Sequence, residues 1–328
     1  MAAAALGIDI VAFASRDRAN AEAKAHAVGG GTVAVSYDDL PAGADLVLVA
    51  TSPATHVEHA VHALQGGATV IVETPLAATL AQADALVQAA DRYPGRVAYG
   101  ENLAYAPVIS ALLARRSTLG PLTHIEARVI DPPTSLTNRV SPEWGGGALF
   151  DIGVHALALA LLLAGSVNVT GVSARLERSS ADDIDDDEAE VTLTFASGLR
   201  AHIVASRRST SGPIWDVQVA GESGVLRADL VPTPTLEHNG EPVRLPAARL
   251  ANREVEEYGF VGQLRTVTAD FAAGREPVMD ATFGRLILDL ICAGYASAGS
   301  GGVTIATPFA GRRDRTPSQL WRDARPTA

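Results

Sequence analysis

Over its first hundred residues the chain alternates short β-branched runs with alanine-rich stretches, and this alternation constrains the fold more than any other feature. Residues 8–14 read as a strand, 18–28 as a helix, 45–50 as a strand, 53–65 as a helix, 69–72 as a strand, 80–92 as a helix and 97–99 as a strand. These strands are apolar throughout rather than every second residue, as expected of strands buried on both faces. Alternation at this spacing gives a parallel sheet with helices on both sides, and sets a first domain at 1–105.

After residue 105 the texture changes. A helix over 107–115 precedes a strand over 123–130, a helix over 146–163, and strands over 169–178, 189–195, 199–206, 215–220 and 224–230. Turn signals such as Ala196-Ser197-Gly198 and Gly221-Glu222-Ser223-Gly224 join these strands as hairpins require. Helices over 258–273 and 282–298 close the fold. The second domain, 106–310, is therefore expected to be α+β with a large, mainly antiparallel open sheet. Residues 311–328, rich in Arg, Asp and Pro, are expected to form a mobile tail.

A length of 328 residues suits two domains. The net charge of −11 argues against nucleic acid or an anionic membrane as partner. The apolar run 156–164 is far shorter than the ~18–20 residues of a membrane span. No basic residue precedes the apolar amino end, which Asp9 soon interrupts, so no secretory signal is expected. Cys292 is the single cysteine, which excludes an intrachain disulfide and fits a reducing, cytoplasmic setting. Asp182, Asp183, Asp185, Asp186, Asp187 and Glu188 form an acidic run read as a solvated turn. It lacks the glycine and spaced ligands of a calcium loop.

Chemistry concentrates in Gly145-Gly146-Gly147-Ala148-Leu149-Phe150-Asp151-Ile152-Gly153-Val154-His155. Residues at i and i+4 share a helix face, so Asp151 and His155 can enter one pocket as an acid/base pair. The glycines would leave room for a ligand. A buried histidine beside a capping aspartate is the alternative. Ser15 and Arg16 follow the second strand of what would be a dinucleotide-binding sheet. There an arginine accommodates a 2′-phosphate, which favours NADP over NAD, and the alternative is an ordinary polar turn. Thr51, Ser52 and Pro53 end an apolar strand and open a helix, where open α/β sheets bind ligands. His56, His59 and His62 recur every third residue without a zincin pattern, so no metal site is expected.

In this order, Ala14-Ser15-Arg16-Asp17, Val49-Ala50-Thr51 through His56 to Glu73-Thr74-Pro75-Leu76, Gly100-Glu101-Asn102, Gly146 to His155, and Phe260-Val261-Gly262-Gln263-Leu264 resemble the glucose–fructose oxidoreductase / inositol dehydrogenase (Gfo/Idh/MocA) family. The resemblance runs over almost the whole chain. It implies a Rossmann domain followed by an α+β domain whose sheet forms a homodimer or homotetramer interface. It also implies NAD(P)-dependent hydride transfer at a hydroxyl or carbonyl carbon of a sugar-like or cyclitol-like polyol. Under it, His155 carries the proton, Asp151 orients the substrate or the imidazole, and Thr74 lies beside them. Thr51, Ser52, Pro53, His56, Glu73 and Asn102 line the cofactor, with Ser15 and Arg16 at its adenosine end. Polar and aromatic residues before the glycine run, Asn138, Arg139 and Trp144, together with Tyr105, are candidate substrate contacts.

Two departures from the family pattern stand out. Thr74 occupies the position of the usual lysine, whose charge polarises the reacting oxygen; losing such a group commonly costs on the order of 10²–10³ in rate. The opening strand and Gly-x-Gly-x-x-Gly loop are absent, and the chain starts at what reads as the last turn of the first helix. That strand is central in the order 3-2-1-4-5-6, so without it the sheet should split. A coding start upstream of Met1 is the expectation that would restore both. The alternatives to an oxidoreductase are a degenerate ligand-binding or regulatory member, or a redox-neutral lyase or epimerase using His155 and Asp151.

Overall fold

A computed structural model describes residues 1–40, 43–133, 144–165, 168–180 and 185–324. Its first part runs α1 (Ala2–Ala5), β1 (Ala12–Phe13), α2 (Arg18–Val28), β2 (Thr32–Val33), β3 (Leu46–Val49), α3 (Pro53–Gln65), β4 (Thr69–Val72), α4 (Leu80–Ala90) and β5 (Val97–Tyr99). Local chemistry fixes the helix ends. Asp17 caps α2 by accepting the Ala19 N–H, and Gly29 ends it in the left-handed conformation. Pro53 opens α3 at a position with no intrahelical N–H bond to lose. Thr79 and Gln82 form a reciprocal capping box on α4.

All these strands pair in parallel, but in two separate sheets, β1-β2 and β3-β4-β5. Among the described residues the parallel strands of the first part thus do not form one continuous sheet. Exposed apolar side chains include Val11 at 53% and Leu48 at 58%. The strand expected over 8–14 shrinks to two paired residues, because among the described residues it pairs with β2 alone.

The second part comprises α5 (Pro107–Leu113), β6 (Leu122–Ile130), α6 (Ala148–Asp151), α7 (Gly153–Ala164), β7 (Val169–Glu177), β8 (Glu188–Phe195), β9 (Arg200–Ser206), β10 (Ile214–Gly221), β11 (Gly224–Val231), β12 (Thr235–His238) and β13 (Glu241–Pro242). It continues through α8 (Arg253–Glu257), α9 (Phe260–Ala272), α10 (Ala281–Gly299), β14 (Ile305–Ala306) and α11 (Pro317–Asp323). Nine strands form one sheet in the order β13-β12-β11-β10-β6-β9-β8-β7-β14, antiparallel except between β6 and β9. Ile125, Ala127 and Val129 of β6 turn inward, beneath α7, while Glu126 and Arg128 take the opposite face. α7 is apolar nearly all round because the sheet and α10 enclose it. α9 and α10 return to the parallel strands: Val267 of α9 packs with Ile71 and Ala98, and α10 packs against α4 and β5.

The carboxyl-terminal stretch is not a mobile tail over residues 311–324. Thr316 and Gln319 cap α11, and Leu320 and Trp321, 7% and 4% exposed, dock on α10. Arg313 also pairs with Asp84, and the Ser318 N–H donates to the Gly145 carbonyl at 3.0 Å. No helix among the described residues is long and apolar enough to cross a membrane.

Candidate active site

The carboxyl ends of β3, β4 and β5 point the same way, because the strands are parallel and in register. They present Thr51 and Ser52, Glu73 and Thr74, and Gly100 to Asn102. Glu101 is fully buried. One of its carboxylate oxygens accepts the Leu103 N–H at 3.1 Å and the other contacts His155 Nδ1 at 2.8 Å. That second contact joins the two lobes, since His155 belongs to α7. The His155 side chain is 14% exposed. Trp215 of β10 stacks on the imidazole at 5.5 Å between ring centroids, and its own Nε1–H donates to Asp131 at 2.7 Å.

Electrostatics follow from this enclosure. Burial alone would lower the proton affinity of His155, but the charge and hydrogen bond of Glu101, then the charges of Glu73 and Asp131, outweigh it and hold the pKa above its ordinary value. Half-buried Glu73 is pushed up to about 7 by burial, against the pull of His155 and a hydrogen bond from the Thr74 backbone.

Asp151 does not partner the imidazole. The helix breaks at Ile152 (φ −116°, ψ −29°), and Asp151 forms an ion pair with Arg207, which follows β9. Both side chains are largely buried, at 8% and 13% exposed. The glycine run is explained by packing rather than ligand room. A Cβ on Gly146 would lie 2.6 Å from the Tyr295 hydroxyl, and one on Gly147 would overlap the Asp186 carbonyl oxygen. Asp186 accepts from Gly147 N (3.2 Å), Leu149 N (2.9 Å) and Tyr295 Oη (2.5 Å), anchoring the start of α6. It is buried, and burial raises its pKa to about 6. In this respect the acidic run is not a solvated turn: Asp186 is structural, and Asp187 pairs with Arg208. Asp182 and Asp183 lie outside the described residues.

Other expected residues divide. His56 is buried, with Nδ1 3.0 Å from the Pro75 carbonyl and Nε2 3.0 Å from the Thr51 carbonyl. It braces the β3 and β4 ends and offers no ring surface to a cofactor, a correction to its expected lining role. His59 and His62 turn elsewhere, to Tyr37 and toward Asp38. The Thr51 hydroxyl meets that of Thr55 at 2.9 Å, and Ser52 and Pro53 open α3 beside it. Asn102 Nδ2 donates to the Tyr258 carbonyl at 2.6 Å. Tyr105 is half-buried and packs with Leu264 and Val267 on the α9 side of the sheet. Trp144 packs half-buried against the main core. Asn138 and Arg139 lie outside the described residues. Ser15 Oγ accepts the Asp17 N–H at 3.3 Å, and Arg16 is exposed after β1. An open hollow of about 560 Å³ bounded by Pro232, Asn252, Arg253 and Glu257 shares no lining residue with this junction.

Sequence comparison assigns residues 2–101 to the oxidoreductase family with an NAD-binding Rossmann fold and residues 112–227 to the GFO/IDH/MocA C-terminal domain. A dTDP-3,4-didehydro-2,6-dideoxy-alpha-D-glucose 3-reductase of Streptomyces antibioticus is 31% identical over 243 residues, 70% of each chain. The chain belongs to the Gfo/Idh/MocA oxidoreductases. An uncharacterized protein of Saccharomyces cerevisiae is 37% identical over 174 residues, and the match spans about half of either chain (51% of this one, 49% of the relative). Among solved structures, GenD2 from gentamicin A biosynthesis in complex with NAD superposes with a TM-score of 0.78 at 26% identity, covering 92% of this chain and 89% of that one. In this Gfo/Idh/MocA oxidoreductase the imidazole partner, Glu101, was not assigned a role from sequence. The only sequence signal was its place in Gly100-Glu101-Asn102, directly after a parallel strand.

Proposed function

We propose that the protein is an NAD(P)-dependent dehydrogenase or reductase acting on a hydroxyl or carbonyl carbon of a sugar-like or cyclitol-like small molecule, with His155 carrying the proton. One observation supports this reading above the others: an enclosed imidazole, bonded to a buried carboxylate, sits where the carboxyl ends of the parallel strands meet α7. In the oxidative direction the substrate O–H bond breaks, its proton passes to the free imidazole nitrogen, and the C–O bond becomes a carbonyl as hydride leaves the carbon. The nicotinamide, when bound, supplies the hydride acceptor or donor. Hydroxyl and small residues at the strand ends fit its ribose and ring: Thr51, Ser52, Pro53, Glu73, Thr74 and Asn102 would hold that half. Ser15 and Arg16 would meet the adenosine end, where exposed Arg16 favours the 2′-phosphate of NADP over NAD. The sheet face away from α7, carrying Arg128, Asp216 and Arg227, would join subunits into a homodimer or homotetramer. The single cysteine suits a cytoplasmic setting.

The test is direct. Fluorescence titration with NADPH and NADH should saturate, with NADPH tighter. Turnover with myo-inositol, D-xylose and related polyols or their ketones should then appear at 340 nm. His155→Asn should retain nucleotide binding and lose roughly 10²-fold or more in kcat. Absence of saturable binding by either nucleotide would overturn the reading. No observation favours a member without redox chemistry.

A further inference from the structure

We propose that Glu101 is the positioning residue for His155: it takes the Nδ1–H, leaves Nε2 facing the reacting oxygen, and keeps a protonated imidazole available as the site cation that Thr74 does not provide. The inference rests on the reading of His155 as proton carrier, and its geometry is independent of substrate.

Three observations carry it. First, the contact is short and enclosed: Glu101 is fully buried and its oxygen lies 2.8 Å from Nδ1. A carboxylate can only accept, so in this contact Nδ1 is the donor toward a carboxylate Glu101, which would fix the tautomer of the neutral ring. Second, the carboxylate is itself held. Its other oxygen accepts the Leu103 N–H at 3.1 Å, so the two bonds together set the direction in which the imidazole points. Trp215, tied by its own N–H to Asp131, closes one face of the ring. Third, the turn after β4 carries Thr74, which bears no charge, and the sole lysine of the chain, Lys24, is in α2. Arg207, which follows β9, is in an ion pair with Asp151.

The charged groups that act on the ring are Glu101 after β5, Glu73 after β4 and Asp131 after β6. Three carboxyl groups thus bear on one imidazole. Of the three, Glu101 is the one within hydrogen-bond distance of the ring, at 2.8 Å from Nδ1. In the reductive direction the carbonyl carbon would take hydride, which the reduced nicotinamide supplies when bound, while the imidazolium gives its Nε2 proton to the oxygen, so that C=O becomes CH–OH; the positive charge of the ring faces that oxygen until the proton moves. A carboxylate behind the ring is what keeps that proton in place near neutral pH.

Histidine-labelled full-length protein, free of nucleotide, tests this by nitrogen NMR. His155 is assigned as the signal lost in His155→Asn. In the wild type its neutral form should show the Nδ1–H tautomer, and in Glu101→Gln its midpoint should fall by one unit or more, a tenfold loss of proton affinity. A wild-type Nε2–H tautomer, or an unmoved midpoint in Glu101→Gln, would overturn the inference. Should Glu101→Gln fail to fold, the wild-type tautomer still decides. The two readings fail separately. If His155→Asn keeps full turnover while the NMR result holds, the proton-carrier role falls and the Glu101 coupling stands. If His155→Asn abolishes turnover and Glu101→Gln leaves the imidazole unmoved, the reverse is true. In steady state Glu101→Gln should lower kcat and shift the imidazole limb of the pH profile to lower pH, with KM for NADPH unchanged within threefold.

Discussion

A carboxyl whose pKa stands at about 7 in the folded chain and 4.5 as a free side chain makes Glu73 a source of pH-dependent instability. The sign follows from proton counting: between those values the folded state binds the proton and the unfolded state does not, so stability falls as pH rises through the window. Glu73→Gln removes the penalty. Urea unfolding should show the variant about 1–3 kcal/mol more stable at pH 8, the figure discounted because the group is half-buried, and equal to wild type at pH 4. Equal stability at both pH values would contradict the burial argument. Asp151 makes the opposite case. Its ion pair with Arg207 is largely buried, so Asp151→Asn leaves a guanidinium short of one charge partner and should cost roughly 2–4 kcal/mol in unfolding free energy. The imidazole limb of the pH profile should stay where it is; a shift of that limb would return Asp151 to acid/base work. The i, i+4 spacing put Asp151 and His155 on one face only for an unbroken helix, and the break at Ile152 redirects the aspartate. Glu101 was illegible for a different reason. Its contact with His155 spans 54 positions and two lobes, and no local period encodes such a pairing.

Secondary structure was readable where a local rule dominates and failed where tertiary pairing does. α2, α3 and β4 follow from caps, a proline start and an apolar run, and their bounds match the sequence reading. β12, β13 and β14 are two to four residues long, and their existence depends on an adjacent edge rather than on their own composition. The glycine run before α6 shows the same limit. From sequence it reads as space for a ligand; in three dimensions Asp186 and Tyr295 occupy that space. Gly147→Ala should therefore be severe, because the new methyl meets backbone of Asp186 rather than a side chain that can swing away. A loss of about 3 kcal/mol or more is expected by denaturant titration, from overpacking plus the weakened Gly147 and Leu149 bonds to Asp186. Gly30→Ala, with no heavy atom within 4 Å of the added carbon and no positive φ, is the control and should stay within about 0.5 kcal/mol. A tolerated Gly147→Ala would show that α6 can shift without disturbing its anchor.

Across the whole molecule stability is distributed unevenly. The main core is continuous from Val49 to Trp321, and α9 and α10 clamp the β3-β4-β5 sheet from the second half of the chain. The β1-α2-β2 segment has no such support: its sheet has two strands, and its buried apolar residues are the alanines Ala21, Ala25 and Ala34. A two-stranded pair is marginal by itself in water, and local opening is governed by how little apolar contact must be broken. Amide exchange should consequently be bimodal. Ala34, whose N–H bonds to Phe13 across β1-β2, should exchange at least 10²-fold faster than Val70 or Gly100, whose bonds lie within or beside the clamped sheet. Binding supplies a second handle, because any ligand that contacts only the closed form shifts the local equilibrium by mass action. If Ser15 and Arg16 hold the adenosine end of a dinucleotide, saturating NADPH should slow exchange in β1-α2-β2 more than in β4 or β5. Uniform protection without nucleotide would mean that the gap between the two parallel sheets carries no energetic consequence. Protection confined to β4 and β5 on adding NADPH would move the adenosine end away from Arg16.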